Sequence, residues 1–308
     1  MIRRLLAEKL SSQGLFAFGF LPRASFLDVL EKTGTSSAAM SKYDVEKTES
    51  VVAVALRYGE GNFSLPAWAE RSIEESGGGG SPPPASRVPM MGIGHFARAN
   101  WYMELSRRMM GAVAGAIQDA ANMGLSLPPP KAWRRLVNSG LPEKPLAARA
   151  GLGWIGKNGI LIADSRHKAG EMDHDEMLSS ALVLGLILCP IDIGGEAGEP
   201  MREGCGDCCR CIKACPTGAL GKSPSGYERS LCIQHWTALD GLPPDEVRTA
   251  WGDRLYGCDT CLEACPYFKT DPSATTDIGL IGPELPAKYF LSTEEATIRR
   301  DLSGTALD

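Results

Sequence analysis

The chain has 308 residues, 44% hydrophobic and 22% charged, with a formal net charge of -5 and a pI near 5.6. This is enough apolar material for a large core and more than one domain. No apolar run approaches the length of a membrane span, and the acidic balance excludes a broad nucleic-acid-binding face while leaving room for a local basic patch on a folded RNA.

In chain order, residues 2 to 13 have the pattern of an amphipathic helix. Glu8 and Lys9 fall where a signal peptide would need an unbroken apolar run, so a cytoplasmic chain is expected. "GLFAFGF" (14 to 20) and "SVVAVALRYG" (50 to 59) read as strands. Residues 74 to 89, rich in glycine and proline, read as a flexible loop. A helix is predicted over 100 to 124 with Gly124 as its stop, and the methionines at 103, 109 and 110 read as its core stripe. Arg134 and Arg135 read as facing water. "PLAARA" (145 to 150) reads as a short helix, and 158 to 164 and 180 to 189 as strands. "HKAGEMDHDEM" (167 to 177) reads as a solvated loop rather than a metal site. The prediction is a mixed α/β (α+β) domain over 1 to 195, a cysteine-rich ferredoxin-like domain over 196 to 270, and a polar tail over 271 to 308.

Nine of the ten cysteines lie between Cys205 and Cys265. Clustered CxxC spacing in a chain without a signal peptide favours metal over disulfides. Cys205-x2-Cys208-x2-Cys211-x3-Cys215-Pro216 is the bacterial ferredoxin run, whose fourth cysteine serves a second cluster. The partner run, Cys258-x2-Cys261-x3-Cys265-Pro266, has Leu255 where its first cysteine belongs. Cys232, in the segment between the runs, is the nearest unused cysteine. The expected ligands are Cys205, Cys208, Cys211 and Cys265 for cluster I, and Cys215, Cys232, Cys258 and Cys261 for cluster II, giving two 4Fe-4S centres. A pair of zinc sites also uses CxxC pairs, but the x2, x2, x3 spacing and the proline after each final cysteine favour iron-sulfur. Cys189, in an apolar run, reads as a core cysteine, and Cys209 as incidental.

Gly151, Gly153 and Gly156 in "RAGLGWIGKN" satisfy GxGxxG. A nucleotide loop, however, follows a strand and opens a helix, and here a helical segment precedes and a strand follows. What remains is a backbone that must approach something closely, since glycine carries no Cβ.

The stretches "PLAARAGLGWIGKNGILI", "CGDCCRCIKACPTGAL", "LCIQHWTALDG" and "WGDRLYGCDTCLEACP", in that order, resemble the cobalamin-dependent epoxyqueuosine reductases. The likeness covers roughly residues 12 to 270. It implies a first domain with the nitroreductase-like core of reductive dehalogenases, holding a base-off cobalamin to which the two clusters relay electrons, and reduction of a tRNA-borne epoxide to an alkene. By the same resemblance Gly151, Gly153, Trp154, Gly156 and Lys157 match the corrin-contacting loop, and Phe96, Arg98 and His235 are further candidates for cofactor contact. Asn138 stands where the family has a proton-donating aspartate. An amide is no general acid, so either another acid such as Glu143 takes over, or water does, or the substrate differs. The family continues into helical, tRNA-contacting repeats that this chain lacks. The expected partners are an external low-potential electron donor and tRNA, with no membrane and a monomeric chain. Two other readings are a corrinoid iron-sulfur reductase of the same fold with a different substrate, and a non-catalytic electron carrier.

Overall fold

The computed structural model describes residues 1–59, 65–75, 88–165, 177–221 and 226–308. Most of the glycine- and proline-rich loop, and His167, His174 and Asp175 of the charged run, lie outside the described residues. The described strands, in chain order, are β1 (Ala17–Pro22), β2 (Ser50–Arg57), β3 (Met90–Ile93), β4 (Arg134–Val137), β5 (Gly153–Ile155), β6 (Leu161–Asp164), β7 (Leu178–Ser179), β8 (Leu182–Cys189), β9 (Arg254–Tyr256) and β10 (Glu284–Pro286). The chain forms two compact units that interleave along the sequence rather than following it in blocks. The first comprises 1–57, 102–208 and 267–270, and the second 58–101, 209–266 and 271–308.

In the first unit an antiparallel sheet runs β1-β2-β8-β4. The run "SVVAVALR" lacks polar alternation because β2 is buried at every position before Arg57, as expected of a strand covered on both faces. Helices Arg23–Lys32 and Glu143–Arg149 bring Phe26, Leu30 and Leu146 into one core with Phe16, Val51 and Leu186. Helix Trp101–Asn122 supplies Leu105 and Met109, which lie so close over Gly185 that a Cβ there would stand 3.0 Å from the Met109 Cε. Only Met109 of the expected methionine stripe is core. Met103 and Met110 are about half exposed, because their positions turn to the outer face of the same helix. Gly124 ends this segment in a left-handed conformation (φ +77°). Arg134 is not simply solvated: its guanidinium pairs with Asp44 and donates to the Lys42 carbonyl. Cys189 is fully buried as expected, and burial pushes its thiol far up. A second sheet, β5-β6-β7, makes the former glycine loop a hairpin rather than an irregular turn.

The second unit is built on the sheet β10-β3-β9, with β3 and β9 parallel. Its core holds Ala69, Ile93, Ala97, Ile281 and Leu285, flanked by Trp68, Phe96 and Tyr256. Residues 281 to 308 are therefore not a polar tail. Ile281, Leu285, Tyr289 and Leu302 all point inward, and helices Ala287–Ser292 and Glu295–Leu302 are joined by a 2.6 Å bond from the Tyr289 hydroxyl to Asp301. The Asn100 amide donates to the Gly304 and Thr305 carbonyls at 2.9 and 3.1 Å. Leu285→Ala is expected to destabilise this unit by about 2–5 kcal/mol, the usual cost of a buried leucine deletion. Denaturant unfolding of the variant measures it, and a true tail would show no change. Among the described residues no helix is long and apolar enough to cross a membrane.

Candidate iron-sulfur centre

The hairpin of β5 and β6 explains the three glycines by sterics. Helix Glu143–Arg149 precedes it and a strand follows, so no helix N-terminus is offered to a phosphate. A Cβ on Gly153 would stand 1.8 Å from the Ile162 carbonyl oxygen, and one on Gly156 would stand 3.5 Å from the Cys205 sulfur and 3.0 Å from Ile162 Cδ1. The close approach is thus to the chain itself and to a cysteine. Gly151, left-handed at φ +81°, abuts Gly198 and Glu199.

The residues between these glycines hold the same cysteine segment. Lys157 Nζ donates to the carbonyls of Gly206 (2.5 Å) and Cys208 (3.1 Å), and the Cys208 N–H donates to Cys205 at 2.9 Å. Trp154 packs edge-on to Tyr267, ring centroids 5.5 Å apart, in a cluster that includes Cys205. Its buried indole N–H makes no hydrogen bond of regular geometry among the described residues, but it lies close enough to the Cys205 thiol to favour the ionised sulfur. Burial raises the Cys205 thiol above its ordinary range, and Glu203 adds to this, while the Lys157 N–H and the Trp154 indole act in the opposite sense. A metal-bound thiolate at Cys205 would be a stronger acceptor for that indole N–H than a thiol, so the donor set fits an iron-sulfur ligand here.

The expected cluster II ligands all belong to the second unit. Cys215 ends helix Arg210–Ala214, Cys232 caps helix Ile233–Trp236, and Cys258 and Cys261 flank the start of helix Thr260–Glu263. The Cys258 N–H donates to Gln234 Oε1 at 3.1 Å, which ties the Cys232 segment to the final run. Burial, then the like charges of Cys258, Cys232, Cys215 and Cys211, push the Cys261 thiol up to about 12. Ionising that thiol beside its neighbours would require a nearby positive charge, which bound iron would supply. Cys215 moves the other way: burial opposes its ionisation, but the N–H groups of Leu220, Thr217 and Ala219 and the Thr217 hydroxyl outweigh it. Among the described residues no three such side chains converge as a single-ion site; a cubane is bound by thiolates set around its corners.

Sequence reasoning passed over several residues here. Thr217 Oγ1 lies 3.7 Å from the Cys215 sulfur and Thr260 Oγ1 3.6 Å from the Cys258 sulfur. Each follows its cysteine by two positions, a spacing that could have exposed them. Asp259 accepts the His95 N–H at 2.5 Å, and His95 Nε2 meets Glu263 at 3.3 Å, steadying the helix that carries Cys261.

The other expected site residues fall as follows. Cys205 and Cys208 belong to the first unit, and Cys211 and Cys265 to the second. Phe96 packs against Tyr256 at 5.9 Å, and Arg98 Nε donates to the Ile93 carbonyl. His235 Nδ1 accepts from Arg229 Nε at 3.2 Å. Asn138 is exposed and left-handed (φ +51°). In the same turn Glu143 Oε1 accepts the Ser139 N–H at 2.8 Å, and burial raises the Glu143 carboxyl above its ordinary range against that hydrogen bond.

Residues 204–268 match the family described as a 4Fe-4S double cluster binding domain. Over 197 residues the chain is 33% identical to an epoxyqueuosine reductase of Staphylococcus aureus, covering 62% of this chain and 46% of the relative. With the Escherichia coli enzyme of that name it shares 35% over 171 residues, 51% of this chain and 41% of the relative. The chain spans about half the length of the curated relatives it matches. In fold it is similar to the epoxyqueuosine reductase of Streptococcus thermophilus, with a TM-score of 0.67 and 20% identity, covering 98% of this chain and 75% of that one. It is also similar to an epoxyqueuosine reductase solved with an epoxyqueuosine-modified tRNA-Tyr stem loop, with a TM-score of 0.63 and 23% identity, covering 99% and 77%. In sequence over part of its length, and in fold over nearly all of it, the chain is similar to the epoxyqueuosine reductases.

Proposed function

We propose that the chain is an iron-sulfur oxidoreductase of the epoxyqueuosine reductase type, acting on the epoxide of a tRNA-borne nucleoside. The observation that carries this is the gathering of Cys258, Cys232 and Cys215 about Cys261, with the remote Cys232 in place of a cysteine at 255, in a chain with these relatives. Overall, two electrons and two protons enter, both epoxide C–O bonds break, and alkene and water leave. The two 4Fe-4S centres, held by the two cysteine sets above, supply one-electron relay from an external low-potential donor. Base-off cobalamin is the further cofactor that the family resemblance supports. The contacts of Gly153, Gly156 and Lys157 are with the chain itself and the Cys205 segment, and no step here is routed through cobalt.

Proton supply falls to Glu143. Asn138 cannot donate as an acid, whereas the half-buried Glu143 carboxyl is raised above its ordinary range in the same turn. Glu143→Gln is expected to slow turnover about 100-fold or more with the iron content unchanged. The pH dependence of stability has a defined sign. Because the folded pKa lies above the ordinary value of 4.5, the wild type loses stability relative to the Gln variant as pH rises from 4.5 through the raised value. Paired unfolding curves across that window check it, and parallel curves would refute it.

The decisive experiment is anaerobic reconstitution followed by assay on epoxyqueuosine-containing tRNA. About eight irons per chain with conversion to the alkene is expected. Eight irons without turnover, in both wild type and Asn138→Asp, would favour a reductase of the same fold with a different substrate, a reading to which the exposed amide at 138 lends support. Desalting after addition of cobalamin tests the corrinoid: loss of its absorption spectrum would remove it from the proposal.

A further inference from the structure

The second unit places a hydroxyl beside two of the four cluster II sulfurs. Thr217 Oγ1 is 3.7 Å from Cys215 Sγ, and Thr260 Oγ1 is 3.6 Å from Cys258 Sγ, both within the longer range of hydrogen bonds to sulfur. Between a threonine and a free thiol either group could donate. An iron-bound sulfur carries no proton, so the hydroxyl must be the donor. The Thr217 hydroxyl also accepts the Ala219 N–H at 3.4 Å, and its residue is buried, which orients the oxygen.

We propose that Thr217 and Thr260 are positioning residues whose hydroxyls donate to the Cys215 and Cys258 sulfurs and raise the reduction potential of cluster II. The inference rests on the cluster II ligand set proposed above. Its physical basis is that an added electron increases the negative charge on the sulfurs, and a hydrogen bond to a charged acceptor is stronger than one to a less charged acceptor. The reduced cluster therefore gains more from each hydroxyl than the oxidised one. One-electron reduction, with dithionite as reductant, moves no proton from either threonine.

The test is an EPR-monitored redox titration of the reconstituted full chain as wild type, Thr217→Val, Thr260→Val and the double variant, with Thr217→Ser and Thr260→Ser as conservative replacements. Valine keeps the shape and removes the donor. The double valine variant is expected to shift the reduction equilibrium of one cluster about tenfold toward its oxidised form, about 59 mV for one electron. The other cluster should stay in place, and the serine variants should return to the wild-type midpoint. An unmoved midpoint at full iron content overturns the inference. So does a serine variant that tracks valine, which would assign the effect to packing, or an equal shift of both clusters. A wild-type chain that binds iron for only one cubane overturns the ligand set, and the inference falls with it; the iron count separates that failure from the others.

Discussion

Cys232→Ala is expected to leave the reconstituted chain with about four irons in place of about eight and to abolish electron delivery to substrate. Cys232 caps a short helix, and the segment is tied to the Cys258 backbone through Gln234, so its thiol is held beside the final run rather than free to be replaced. Cys209→Ala, one residue from a ligand but outside the template, should keep the full iron content. Iron and sulfide analysis of the two variants decides the matter. Equal iron in both would remove Cys232 from the ligand set and return the missing position to an unknown donor.

Gly153→Ala carries the largest expected effect on stability outside the cysteines. Its Cβ would stand 1.8 Å from the Ile162 carbonyl oxygen, a collision of backbone with backbone that no rotamer relieves, so β5 and β6 must part. A loss of about 4 kcal/mol or more is expected, in the range reserved for gross steric misfit. The control is Gly159→Ala in the turn of the same hairpin, where nothing lies within 4 Å and only the left-handed φ of +72° is strained; it should cost about 1–2 kcal/mol. Calorimetric melting compares them. Because Trp154 and Gly156 on the same hairpin back Cys205, Gly153→Ala should also lose iron from the cluster that Cys205 serves, and retention of all iron would separate the hairpin from the cluster.

Much of the first unit is legible in the sequence because its signals are local. The apolar runs that become β1, β2 and β8 are buried strands, and the helix ending before Gly124 shows both its periodicity and its stop. The hairpin was hidden because three glycines have no side-chain pattern, and their reason lies in atoms brought near only by folding. The C-terminal segment was hidden for a different reason. Its apolar residues are split among a short strand and two short helices, Glu284–Pro286, Ala287–Ser292 and Glu295–Leu302, none long enough to show a period in the sequence. In the metal centre the cysteines announce themselves by spacing, including the gap at Leu255. The hydroxyls of Thr217 and Thr260 do not, since threonine is common everywhere and only proximity to sulfur gives these two a role.

The interleaving of the two units has a consequence for biogenesis. The chain passes between units at 57/58, 101/102, 208/209, 266/267 and 270/271, so neither unit is a continuous stretch that could fold as it leaves the ribosome. The second cannot close its sheet until β10 has been made, long after β3, the strand that β10 pairs with. Such distant pairing is slow to form. Meanwhile the cysteines of the first run wait as bare thiols for partners not yet synthesised. Both proposed ligand sets draw on the final run, Cys258 to Cys265, so neither cluster can be completed until that run has been synthesised.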